Sequence, residues 1–121
     1  MKKTILIADD DEKSVKLLRD VLRASGYSVA VARDGREAVA LAQERKPALI
    51  LMDIRMPVMD GVAAMKKLRA DPKTRGIPII AITAHAMHGD KERFLWQGFD
   101  DFLTKPLDIH MLLERVRNVF A

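Results

Sequence analysis

The stretch Ala48-Leu49-Ile50-Leu51-Met52-Asp53 runs five apolar residues into a single carboxylate, and Ile54-Arg55-Met56-Pro57-Val58-Met59-Asp60-Gly61 follows at once. A run this short and this uniformly apolar fits a strand covered on both faces, because a strand with one wet face alternates polar and apolar residues. Four more short segments, Thr4–Ala8, Ser28–Ala32, Ile77–Thr83 and Asp101–Thr104, read as strands, all but the last nearly as apolar. The carboxylate at the end of the Ala48–Asp53 run is the first candidate for chemistry.

Between these runs the hydrophobic period lengthens to that of a helix. Helices are expected over about Glu12–Ala24, Gly35–Arg45, Val62–Ala70, Met87–Gln97 and Asp108–Phe120. In the last, Ile109, Leu112, Leu113, Val116, Val119 and Phe120 recur at three- and four-residue spacing and form one apolar stripe. Asp34 can cap the second helix with Glu37 three residues on, Asp11 suits the cap of the first, and Gly26 and Gly98 suit left-handed positions after helix ends. Pro47 and Pro78 exclude helix continuation. Alternating β and α elements imply a parallel sheet with right-handed crossovers and helices on both faces. The expected architecture is an α/β, flavodoxin-like, doubly wound five-stranded sheet in the order 2-1-3-4-5, with chemistry at the carboxyl ends of strands one and three.

Composition sets the outer bounds. The chain has 121 residues, 49% of them hydrophobic and 31% charged, which fits one domain over 1–121 with a real core rather than a disordered segment. There is no cysteine, so disulfides and thiolate metal sites are excluded and a reducing, cytoplasmic setting is expected. No apolar run approaches the ~20 residues that a membrane-spanning helix needs. The net charge of +4 comes from 21 basic and 17 acidic residues that are interspersed, so neither direct nucleic-acid binding nor membrane attachment is expected. Lys16, Arg19 and Arg23 share a face of the first helix and read as a solvated surface that could also meet a partner.

The topology brings Asp9 and Asp10, just past the first strand, to the same edge as Asp53. Three carboxylates so placed repel one another, and a hard divalent cation such as Mg²⁺ (or Mn²⁺) relieves that repulsion with a few carboxylates, a carbonyl, waters and phosphate oxygens. Thr83 ends the fourth strand and Lys105 follows the fifth on the same edge. A hydroxyl donor and an ammonium both suit phosphoryl oxygens. Each of these residues alone has an ordinary reading as a cap or surface group. Their joint placement at four strand ends does not.

The chain also resembles the receiver domains of bacterial two-component response regulators, over essentially its whole length. The likeness rests on Ile5-Leu6-Ile7-Ala8-Asp9-Asp10-Asp11, on Leu51-Met52-Asp53 through Met59-Asp60-Gly61, on Ile82-Thr83-Ala84 and on Asp101-Phe102-Leu103-Thr104-Lys105-Pro106. The resemblance implies that Asp53 receives a phosphoryl group from a histidine kinase, a histidine phosphotransfer protein or a small phosphodonor. It further implies that Asp9, Asp10, Asp53 and the Arg55 carbonyl hold Mg²⁺, and that Thr83 and Lys105 bind the phosphorylated product. Such a domain is a signalling switch that catalyses its own modification, not a stand-alone enzyme. Lys105-Pro106 resembles a bond that is cis in the family.

The same resemblance assigns a switch and a timer. Thr83 would draw inward on phosphorylation and Phe102, where many relatives carry tyrosine, would follow without a phenolic hydroxyl to bond. Arg55 and His85, two residues beyond Asp53 and Thr83, would set the lifetime of the modified state. His85 and His88 stand at helical spacing but lack a third ligand, so no zinc is expected. Phe94 and Trp96 are too close along the fourth helix to both face the core, and an outward Trp96 would mark a face for a downstream partner or for self-dimerisation. A flavin-binding or hydrolytic enzyme of the same topology finds no Gly-rich phosphate loop or nucleophile elbow here.

Overall fold

The computed structural model describes residues 2–84, 87 and 89–121. Five strands, β1 (Thr4–Ala8), β2 (Ser28–Ala32), β3 (Leu49–Asp53), β4 (Ile79–Thr83) and β5 (Asp101–Thr104), pair in parallel in the order β2-β1-β3-β4-β5. Five helices connect or follow them: α1 (Glu12–Ala24), α2 (Gly35–Arg45), α3 (Gly61–Ala70), α4 (Asp90–Gln97) and α5 (Ile109–Phe120). This is the flavodoxin-like arrangement expected from the alternation.

Successive strand residues point to opposite faces, and this period divides the core in two. Leu6, Ile50, Met52, Ile79 and Ala81 face one way and meet Ala38, Ala42, Ala64, Met65, Leu68 and Phe94 from α2, α3 and α4. Ile5, Ile7, Leu49, Leu51, Ile80 and Ile82 face the other and meet Val15, Leu18, Leu22, Leu112 and Val116 from α1 and α5. Every residue of β3 and β4 is buried, which accounts for their lack of alternation. Each fully buried Leu or Ile contributes about 1.5–3 kcal/mol of transfer free energy.

Helix starts obey the capping chemistry. Asp11, Asp34, Asp60 and Asp108 accept from the backbone N–H groups of Lys13, Glu37, Ala63 and Met111 respectively. Gly26 and Gly98 have φ of 95° and 130°, as expected after helix ends.

The boundaries shift where backbone donors are spoken for. β4 begins at Ile79 rather than Ile77, because the Ile77 N–H closes a turn onto the Thr74 carbonyl and Pro78 has no donor. β3 begins at Leu49 rather than Ala48. The third helix begins one residue early, at Gly61 behind its Asp60 cap, and the last begins at Ile109 behind Asp108. The fourth begins at Asp90 rather than Met87, since Gly89 sits at φ 86° and the Asp90 carboxylate accepts from the Met87 N–H at 2.6 Å.

At the amino-terminal edge of the sheet, Arg69 braces several segments. Its guanidinium donates to the carbonyls of Gly98 (3.1 Å), Arg75 (2.8 Å) and Ile77 (2.6 Å), and to the Asp100 carboxylate at 2.7 Å. Asp100 in turn accepts from the Ile79 N–H, at the start of β4. One side chain therefore joins the end of α3, the approach to β4 and the turn between α4 and β5.

Candidate functional site

Strand register places the acidic residues. Ala8 pairs with Met52 across β1 and β3, so the next residues, Asp9 and Asp53, emerge side by side. Carboxylate oxygens of Asp9, Asp10 and Asp53 lie within 4.8 Å of one another. Asp9 and Asp53 are buried, at 1% and 7% exposure, while Asp10 is exposed. The backbone orients two of them: Asp9 Oδ1 accepts from the Asp11 N–H at 2.9 Å, and Asp53 Oδ1 accepts from the Arg55 N–H at 3.2 Å.

Lys105 supplies the opposite charge. Its Nζ lies 3.0 Å from Asp9 Oδ2 and 3.4 Å from Asp53 Oδ2. The Lys105 N–H donates to the Thr83 carbonyl at 2.8 Å, so the lysine is carried on the same strand end as the buried Thr83. The Lys105-Pro106 bond is cis. The fold thus gathers Asp9, Asp10, Asp53, Thr83 and Lys105, the residues expected from the sequence, at the carboxyl ends of β1, β3, β4 and β5.

Ionisation follows this crowding. Burial first, and then the neighbouring Asp9 charge, push the Asp53 carboxyl from its ordinary 3.8 up to about 6, against the pull of Lys105 and the Arg55 N–H. Burial alone would lower the Lys105 ammonium, but its hydrogen bond to Asp9 and the charges of Asp53 and Asp9 outweigh that, and its pKa is raised. Asp11 is lowered by the Lys13 N–H that it accepts, as befits a cap. The donor set suits a hard cation: all oxygens, clustered, with an uncompensated negative charge.

The remaining candidates are more scattered. Arg55 is exposed and lines an open cleft of about 590 Å³ together with Asp10, Met56, Pro57 and Asp60. Phe102 is half-buried and stacks on Phe94 with ring centroids 5.3 Å apart, and Phe94 also meets Phe99 edge-on. Phe94 is thus the inward member of its pair and Trp96, 91% exposed, the outward one. His85 and His88 lie outside the described residues. On α1, Lys16 is tied to Asp20 at 3.2 Å, which dilutes the basic face.

Two glycines have roles that their sequence context does not announce. A Cβ on Gly61 would stand 2.2 Å from the Asp53 carbonyl oxygen, and one on Gly35 would stand 2.1 Å from that of Met59. The close approach of α3 to the back of Asp53 is a tertiary fact with no local signal.

The site and fold define a class, the receiver module of two-component signalling, and the comparisons with known proteins agree. The sequence model of the response regulator receiver domain matches residues 5–117. The chain is 42% identical over 118 residues to the polar-differentiation response regulator DivK of Brucella anthropi, covering 98% of this chain and 96% of that one. The receiver domain of sensor histidine kinase PA1611 from Pseudomonas aeruginosa, solved with a magnesium ion coordinated in its active site cleft, superposes with a TM-score of 0.91 at 35% identity over the whole of both chains. The chemotaxis protein CheY4 of Vibrio cholerae gives 0.90 at 30% identity, over 98% of this chain and 99% of that one. The chain belongs to the response regulator receiver domain family and is a phosphorylation-dependent switch of two-component signalling. It is not a classical enzyme, and among the described residues no helix is long and apolar enough to cross a membrane.

The raised Asp53 pKa carries a stability signature. Its folded value of about 6 exceeds the unfolded one, so the folded state holds a proton that the unfolded chain has released, and stability declines as pH rises from near 4 through 6. In chelator, Asp53→Asn should therefore be more stable than wild type by about 1–2 kcal/mol near pH 7, after discounting for partial exposure, and the gap should close toward pH 4. Urea titrations at the two pH values measure it; a gap independent of pH would contradict the assignment.

Proposed function

We propose that Asp53 accepts the phosphoryl group, and that Asp9, Asp10, Asp53 and the Arg55 carbonyl hold Mg²⁺ (or Mn²⁺) while it does so. The observation that carries this reading is the cluster of three carboxylates within 4.8 Å, two of them touched by Lys105. A cation held there would supply charge neutralisation to the transferring group.

The chain's own residues do the rest. Asp53 Oδ1 is held by the Arg55 N–H, which fixes the orientation of the carboxylate for in-line attack. Lys105 is already within reach of Asp53 and can move its ammonium from carboxylate to phosphoryl oxygen with little displacement. The Thr83 hydroxyl, at the end of the neighbouring strand, would donate to another phosphoryl oxygen. Its movement would make room for Phe102, whose stack on Phe94 links the site to α4. The domain thereby catalyses the gain and loss of its own phosphoryl group.

Partners follow from position. A phosphohistidine of a histidine kinase or phosphotransfer protein must reach Asp53 at the strand ends, beside a groove of about 440 Å³ between α1 and the Lys105–Leu107 segment. The response would be read on the face of α4, β5 and α5, where Trp96 and Leu95 stand exposed. A cytoplasmic setting is consistent with such donors.

Incubation with Mg²⁺ and acetyl phosphate should give wild type an acid-labile phosphoryl adduct by mass, and Asp53→Asn none. No wild-type adduct would sink the reading. Arg55, at the cleft, is expected to shield the acyl phosphate from water, so Arg55→Asn should speed the first-order loss of phosphate by about three- to tenfold; an unchanged decay rate would clear Arg55 of that role. If the α4 face pairs copies of the chain, phosphorylation should raise the sedimentation coefficient of wild type but not of Trp96→Ala, and equal behaviour of the two would count against Trp96.

A further inference from the structure

Basic and acidic residues are interspersed along the chain, and that order alone points to no membrane. The fold sorts them. The five strands are parallel and the helices run back against them, so the helices end at the edge where the strands begin. From the last turn of each helix to the next strand, together with the residues before β1 and after α5, ten basic residues stand against three acidic ones. From the strand ends through the first turn of each following helix the balance reverses, with seven basic against eleven acidic.

Helix geometry accounts for part of this. A helix carboxyl end carries about half a negative charge, so five of them are matched by about 2.5 positive charges. The excess at that end is seven. Internal pairing removes little of it: Arg69 is taken up by Asp100 and by carbonyls, while the other nine basic residues are exposed and, among the described residues, none of the nine is in an ion pair. Their densest group lies where two helices end together. The Gln43 side chain donates to the Asp71 carboxylate at 3.2 Å, which holds the end of α2 against the turn after α3 and brings Arg45, Lys46, Lys73 and Arg75 to one corner. Arg69 draws the Arg75 and Gly98 carbonyls onto one guanidinium. Trp96, two residues before Gly98 in the last turn of α4 and almost fully exposed, therefore stands at the rim of this corner.

We propose that this amino-terminal end of the molecule lies on an anionic lipid surface, held by its lysines and arginines with Trp96 at the interface. A five-residue strand is about 16 Å long, twice the Debye length of about 8 Å at physiological ionic strength. A surface touching one end therefore senses the charges of that end rather than the net +4 of the chain. A small anion fits this end poorly, because helix carboxyl ends present carbonyls instead of N–H donors and both clefts described above lie at the other end. A nucleic acid fits it less well than a lipid surface, because the charge is spread over the ends of four helices and the residues before β1, not along one helix that could enter a groove. Dispersed basic residues beside an exposed tryptophan are the composition of an interfacial contact. Docked this way, the domain keeps its carboxylates turned toward solvent. Turned the other way, its acidic end would be repelled.

Flotation with vesicles tests this. The protein should float with vesicles of phosphatidylcholine mixed with phosphatidylglycerol, not with phosphatidylcholine alone, and added salt should release it. Lys73→Gln combined with Arg75→Gln should weaken binding by about tenfold or more. Arg36→Gln combined with Lys91→Gln removes the same net charge at the opposite end and should change binding by less than about twofold. Among the described residues none of these four side chains makes a hydrogen bond or ion pair, so urea midpoints should match wild type. Trp96 is the chain's only tryptophan, so its emission should shift to the blue on mixed vesicles, and Trp96→Ala should bind more weakly. No flotation with mixed vesicles, equal binding to neutral ones, or equal weakening by the two double variants overturns the proposal. So does tighter binding to duplex DNA than to mixed vesicles at the same salt, which would make the occupant a nucleic acid. A blue shift that appears without vesicles as protein concentration rises also overturns it, by giving Trp96 to a second copy.

Discussion

The crowding of Asp9, Asp10 and Asp53 is the constraint on which the structure depends. Like charges this close in a partly buried site raise the free energy of the folded chain, and Lys105 offsets only part of it. The fold tolerates the cost because the fully buried strands β3 and β4 and their two apolar layers hold the strand ends where they are. The proposed function uses the imbalance: a site short of positive charge would recruit a cation, and the cation would attract the phosphoryl group that Asp53 is proposed to receive. Removing the repulsion by substitution would make a calmer protein and an inert one.

The same imbalance connects site to surface. Lys105 sits on the end of β5, the strand that carries Phe102, and Phe102 stacks on Phe94 of α4. Under the proposed function, a redistribution of charge at the carboxylates would act through the end of β5 on the Phe102–Phe94 stack and so on α4, the helix that bears Trp96. Where the phenolic hydroxyl of a tyrosine could report its position through a hydrogen bond, Phe102 has only packing, so the geometry of its stack with Phe94 sets the energy of each arrangement.

Much of this could be read from residues alone, and for identifiable reasons. Strands buried on both faces announce themselves as apolar runs, so β1, β3 and β4 were plain, and parallel topology then fixed which strand ends meet. Asp9, Asp53, Thr83 and Lys105 are legible as candidates because each ends or directly follows a strand. What stayed hidden depends on neighbours far away in sequence. The early start expected for α4 failed because Asp90 serves the Met87 N–H, an interaction that periodicity does not reveal. The close approach of Gly61 to the Asp53 carbonyl, the positive φ at Val58 and the reach of Arg69 across two loops are likewise consequences of packing. The choice between Phe94 and Trp96 as the inward ring needed the helix's rotation, which two nearby aromatics cannot specify.

Arg69 has a further meaning when the sheet is viewed end to end. Its four hydrogen bonds cross-brace the amino-terminal edge, the end remote from the carboxylates. The molecule therefore has a stiff pole and a working pole. One pole is tied by a guanidinium that reaches mostly backbone carbonyls, the other by an ammonium set between two carboxylates, so only the second tie responds to a change of charge.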